Sequence, residues 1–211
     1  MKPVTFELLL FAAAIGLLAV YRAKHIARER LDPSVSARKV HDRVRADWVA
    51  AMTGSAGNGI LAVQTLRNSV MAASFLASTA ALALAGTMAF ASEVDRLSAG
   101  WHAAHGLPMA SELFPLKVFL LMGTFFGAFL LCSLSIRLYN HASYAVALPE
   151  RGDVVLRYVN RAGHLYGNGL RVFYLAFPVV AWLFDATMML LAMAGVLWIR
   201  WQLDKAEFPA D

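Results

Sequence analysis

Gln64, Arg67 and Asn68 stand close together in Ala62-Val-Gln-Thr-Leu-Arg-Asn-Ser-Val-Met-Ala-Ala-Ser-Phe-Leu-Ala-Ser78, at the entrance to an otherwise apolar run. On a helix, Gln64, Arg67 with Asn68, Met71, Ser74 and Ser78 recur every three or four residues and share one side. An arginine at the centre of a lipid-facing helix costs about 2.5–3.5 kcal/mol, so something must solvate this strip. Polar at one end and small toward the middle, it suits the wall of a water-filled vestibule that attracts anions. The same residue types could also serve hydrogen bonds between helices.

Further candidates stand at comparable depth. Arg137-Leu-Tyr-Asn-His141 closes another apolar run, and Arg171 opens a third. Arg67, Arg137 and Arg171 could form a basic ring, with Asn68, Asn140 and His141 adding hydrogen-bonding groups, or each could reach lipid headgroups separately. Asp185, in Trp182-Leu-Phe-Asp-Ala-Thr187, lies amid apolar residues, where an ionisable group is a proton-carrying candidate; a hydrogen-bonded structural role is the alternative. Trp101-His-Ala-Ala-His105 spaces His102 and His105 at i, i+3, a weak metal pair that the surface reading outweighs. His25, His41, His141 and His164 fall outside the apolar runs, so a membrane haem lacks axial ligands. Cys132 is the single cysteine, which excludes an intrachain disulfide. No nucleophile–base pair, phosphate loop or zinc signature is present. No cofactor is expected, and an enzyme is the less favoured class.

The elements that must position these groups are helices in a bilayer. The chain is 59% hydrophobic, against about 45–50% apolar in soluble domains. Apolar runs at about 4–21, 69–91, 115–136 and 172–198 reach the roughly 17–25 residues that span hydrocarbon. Only helices satisfy the backbone there. The first run resembles a signal peptide but is followed at once by Arg22, Lys24, Arg28 and Arg30, which favours a retained anchor. Lys and Arg concentrate in 22–59 and 137–171. Those segments are expected in the cytoplasm and both termini outside, with Trp101, Trp198 and Trp201 at the outer interface of the cell (inner) membrane and Trp48 at the inner one. The net charge of +5 follows from that topology, without nucleic acid as a partner.

Gly57-Asn-Gly and Gly167-Asn-Gly are 110 residues apart, and the same shift carries the first run onto the third. Each tripeptide is read as a turn before an outward helix, since Gly and Asn tolerate positive φ. Val40, Val44, Trp48 and Met52 mark an amphipathic helix before the first turn; Val154, Tyr158 and Ala162 occupy the shifted positions before the second. The expectation is an all-α integral membrane protein: four transmembrane helices as two parallel helix-pair repeats with amphipathic cytoplasmic helices. It would be a single membrane domain, 1–211, with tandem halves 1–100 and 111–211.

The string running from Leu61-Ala-Val-Gln-Thr-Leu-Arg-Asn68 to Thr79, together with Arg137-Leu-Tyr-Asn-His141 and Gly169-Leu-Arg-Val-Phe-Tyr-Leu-Ala-Phe-Pro178, resembles the domain-of-unknown-function membrane family 599. The resemblance implies a multi-span membrane protein and transfers no activity. That family's pattern often has Gly-Pro after its Trp-Leu-Phe-like string, where this chain has Asp185-Ala186. The leading functional expectation is a small homo-oligomeric channel or transporter for an anion or anionic metabolite, in contact with membrane lipids. A non-catalytic scaffold or accessory subunit is the second reading. A proton-linked carrier or intramembrane enzyme using Asp185 is the third.

Overall fold

The computed structural model describes residues 3–31, 37–54, 57–106, 110–148 and 150–205. In order they form α1 (Pro3–Leu31), α2 (Ala37–Thr53), α3 (Gly59–Ala89), α4 (Ala91–His105), a 3-10 turn (Ser111–Leu113), α5 (Phe114–Ala145), α6 (Gly152–Tyr174), α7 (Ala176–Phe184) and α8 (Ala186–Lys205). No strand occurs among the described residues. Four helical stretches are long and apolar enough to cross a membrane: Pro3–Arg28, Gly59–Ala89, Ser111–Ala145 and Gly152–Phe184. The chain is an all-α, multi-pass membrane protein.

α5 is the centre of the bundle. α3 lays its buried face against it, with Ala62, Leu66, Ala73, Leu76, Ala77 and Ala80 turned inward. Along α5's buried stripe, Tyr139, Ala142 and Ala145 meet Val155, Val159 and Ala162 of α6 in the same cluster as Ala62 and Leu66 of α3. Small residues let the backbones approach closely, since lipid gives little hydrophobic push between helices. Ser135 Oγ donates to the Ala162 carbonyl at 2.8 Å and fixes this contact. α2 lies across α6 and adds Val49 to the same core. Asn58 caps the joint between α2 and α3 by donating its side-chain amide to the Ala51 carbonyl at 3.1 Å.

The fourth apolar run does not cross once, as its hydropathy suggests. Pro178 has no N–H to offer Tyr174 four residues earlier, and α6 ends at Tyr174. Leu175 keeps helical angles, so α7 continues α6 outward. At Asp185 the backbone becomes extended (φ −159, ψ 141), and the chain doubles back as α8 beside α7 and α1. Arg200, near the end of α8, sits 5.2 Å from the Tyr21 ring of α1, whereas Glu7, near the start of α1, meets Lys117 and Trp182. Residues 7 and 200 therefore lie at opposite ends of the bundle. This corrects the expectation that both chain ends share one side, and it moves Trp198 and Trp201 to the end where α1 finishes.

The second Gly-Asn-Gly is also corrected. Gly57-Asn58 does form a turn before α3, but residues 167–169 lie inside continuous α6. Gly169 is there for closeness: a Cβ at this position would stand 2.7 Å from Cys132 Sγ. The halves therefore differ at the joint that suggested a repeat.

Candidate functional site

α2 is pinned to α6 by a polar lattice on its inner side. Asp42 Oδ1 accepts from Arg45 Nη2 at 2.5 Å and from His164 Nε2 at 2.7 Å. Arg45 Nε donates to Asn160 Oδ1 at 2.8 Å. With Nε2 donating to Asp42, His164 Nδ1 is free to accept from Arg38 Nη2 at 3.1 Å. Gly163 makes room for this arrangement, because a Cβ there would meet Arg45 Nη1 at 2.7 Å. Burial alone would raise the Asp42 pKa, but its hydrogen bonds from Arg45 and His164 outweigh that and hold the carboxyl below its ordinary range.

Beside this lattice two adjoining cavities open, of about 290 and 440 Å³. The first is lined by Arg38, His41, Arg45, His164, Asn168, Arg171, Tyr174 and Arg200 among others. The second shares Arg38, Asn168, Arg171 and Arg200, and adds Tyr21, Arg22 and His25 with Leu18, Leu131, Val172 and Leu175. Among the described residues no carboxylate lines either one. The result is a cleft with a strongly basic rim and an apolar side. Its walls are α1 and α8 on one flank and α2, α5 and α6 on the other. Among the described residues α1 packs chiefly against α8, and α8 against α1 and α7.

At the opposite end the flanks are fastened. Lys117 Nζ of α5 sits 2.7 Å from Glu7 Oε2 of α1, with both side chains almost wholly buried. Trp182 Nε1 of α7 donates to the same oxygen at 2.9 Å. Phe11 stacks on the Trp182 ring at 4.6 Å between centroids, and Lys117 lies 5.3 Å over it. Ser98 Oγ of α4 donates to the Leu183 carbonyl at 2.5 Å.

Of the residues singled out from sequence, Arg171 lines the cleft and donates to Asn168 Oδ1 at 3.3 Å. Arg67 and Arg137 do not line it with Arg171, so the three-arginine ring is not assembled there. Gln64, Arg67, Asn68 and Ser78 lie exposed on the face of α3 turned away from α5, and Ser74 is half-buried. In a single copy this strip looks outward, and it is not part of the two basic cavities. Arg137 and Asn140 are likewise exposed, and His141 stacks on Tyr158 at 5.7 Å. Asp185 is no isolated mid-span acid. Its Oδ1 accepts from Thr187 N at 2.7 Å, Met188 N at 3.2 Å and Thr187 Oγ1, as an N-cap of α8 does. His102 Nδ1 pairs with the Ser98 carbonyl at 2.8 Å and His105 Nδ1 with that of Trp101 at 2.9 Å, each within α4.

Sequence reasoning missed Arg38, Arg45 and Arg200 as partners of Arg171, and Lys117 as the partner of Glu7. Arg200 could be placed only by knowing that α8 returns. Lys117 was discoverable, because Glu7 and Lys117 are opposite charges near the first turns of two apolar runs.

The fold and cleft define a class: a helical, multi-pass membrane protein with a basic cleft at one end of its bundle. Residues 9–207 match the family described as "Protein of unknown function, DUF599", and the chain belongs to that family. Neither a curated protein nor a solved structure matches it.

Proposed function

We propose that the protein is an anion-handling membrane channel or transporter of the cell (inner) membrane, working as a homo-oligomer, with the basic cleft as its ligand site. One observation carries the reading: Arg38, Arg45, Arg171 and Arg200, with His41 and His164, line adjoining cavities that have no carboxylate among their described lining residues, Asp42 pairing with Arg45 and His164 from outside that lining. Guanidinium groups stay charged and hold phosphate or carboxylate in two-pronged hydrogen bonds. Positive-inside places the basic end in the cytoplasm, so the start of α1 faces out and the end of α8 faces in. The outward strip of α3 supports assembly, because Gln64, Asn68 and Ser78 would hydrogen-bond a second copy better than lipid.

The test is anion flux into liposomes containing the purified protein, using labelled phosphate and chloride. Arg38→Gln with Arg171→Gln is expected to cut flux about tenfold or more, since each removes a charge-assisted contact. Arg67→Ala is expected to act through assembly, if at all. Undiminished flux in the double variant removes the cleft from the mechanism. Absence of flux from wild-type protein of verified orientation favours the scaffold reading, which the α3 strip alone would support.

A further inference from the structure

The cleft's two walls are ordered in the same sense. On α1, Leu18 precedes Arg22 by one turn as the helix runs toward the basic end. On the other wall Leu175, at the joint between α6 and α7, follows Arg171 of α6 by about one turn as the chain runs away from the basic end. Four residues rise about 6 Å, so on both walls an apolar side chain lies about 6 Å deeper in the bilayer than an arginine. Leu131 and Val172 add to the apolar side. A free inorganic anion would use the rim alone and leave this layer without a role.

Resting on the anion reading above, we propose that the occupant is an acidic phospholipid, its phosphate between Arg171, Arg38 and Arg200 and its acyl chain along Leu18, Leu131 and Leu175. The layering matches that of the lipid leaflet itself, charged at the surface and apolar beneath. Basic pockets between spans on the cytoplasmic side bind acidic headgroups by the same chemistry. The lipid would be either a regulatory ligand or the transported species, and both begin with this complex.

The full chain, purified in neutral detergent, would be titrated with short-chain phosphatidylglycerol, short-chain phosphatidylcholine and inorganic phosphate. Native mass spectrometry and the shift in Tm report binding. Phosphatidylglycerol should bind at least about tenfold more tightly than either comparator. Arg171→Gln should weaken it about fivefold, the loss of one basic contact at a membrane surface. Leu18→Trp, which fills the apolar side, should weaken the lipid and leave inorganic phosphate unchanged. Variants are compared only if their ligand-free Tm equals that of wild type; Leu131→Asn is the substitute if Leu18→Trp fails this. Equal affinity for phosphatidylglycerol and inorganic phosphate, both lost in Arg171→Gln, overturns the lipid proposal while the anion site stands. Equal affinity for phosphatidylcholine also overturns it. No binding of any anion overturns both readings.

Discussion

Gly169→Ala separates a close-packing glycine from a turn glycine. An added Cβ would stand 2.7 Å from Cys132 Sγ, 3.3 Å from Leu131 Cβ and 3.5 Å from the Ala128 carbonyl oxygen. Heavy atoms in good contact sit about 3.5–4.0 Å apart, so the sulfur is about 1 Å too near. Cys132 is fully buried on α5, and relief requires α5 and α6 to separate or the thiol to leave its rotamer. Such overpacking costs about 1–3 kcal/mol. Replacing a mid-helix glycine by alanine returns about 1 kcal/mol, so the net loss should be about 0–2 kcal/mol. Cys132→Ala alone should cost about 1 kcal/mol for the void it leaves. Combined, the new methyl fills that void, and the double variant should unfold close to wild type, giving a coupling of about 2 kcal/mol. Equilibrium unfolding of all four proteins in one detergent measures it. Additivity within about 0.5 kcal/mol would refute the contact. A double variant as unstable as the sum of its parts would also fit a strained turn at residues 167–169.

Three further outcomes follow from the geometry. Lys117→Met should destabilise by about 3–5 kcal/mol because it strands a buried carboxylate, and adding Glu7→Gln should recover most of the loss; a double variant no better than the single one, by thermal unfolding, contradicts the pairing. Asp185→Ala should cost about 1 kcal/mol as a lost cap, while Asp185→Asn retains both stability and flux; a collapse of flux in the asparagine variant would reinstate a proton-carrying role. Asp42 has a folded-state pKa below its ordinary value of 3.8, so its contribution is present above that pH and fades as pH falls through the lowered value. The stability advantage of wild type over Asp42→Asn should therefore be constant near neutrality and shrink below about pH 3.8 in a thermal-shift series.

Three of the spans were legible because each is a single apolar run bounded by charge, and hydropathy needs nothing more. The fourth was misread because hydropathy carries no direction. A run over 172–198 is apolar whether it goes straight or folds back at its middle. The residues that decide the matter were visible. Pro178 ends α6 four residues earlier, and Asp185-Ala-Thr187 is a helix-start signature that reads as an intramembrane acid only if one helix is assumed. The cleft was half legible: Arg171 was named, but Arg38 and Arg45 come from α2, which the α6 polar contacts hold, and Arg200 comes from α8, whose return depends on the turn at Asp185. The α3 strip was correctly seen as one face of a helix. Which way that face points depends on the small residues opposite it, since Ala62, Ala73, Ala77 and Ala80 draw the other side onto α5.

The fastened end and the open end of the molecule are connected through register. A buried ion pair is weak support for stability, since apolar residues of similar size often serve as well, and its best-attested use is to fix which residues face each other. Here Glu7 meets Lys117 and the Trp182 indole at once, on three helices. Were α1 to slide by one turn, about 5.4 Å, Glu7 would lose both partners in a water-poor site. The same slide would set Arg22 level with Leu175 and Leu18 below the apolar layer, destroying the match between the cleft's walls. The ion pair near residue 7 thus holds the order of charge over hydrocarbon near residue 22, roughly 20 Å along the same helix, and α1 needs no packing against α6 to keep it.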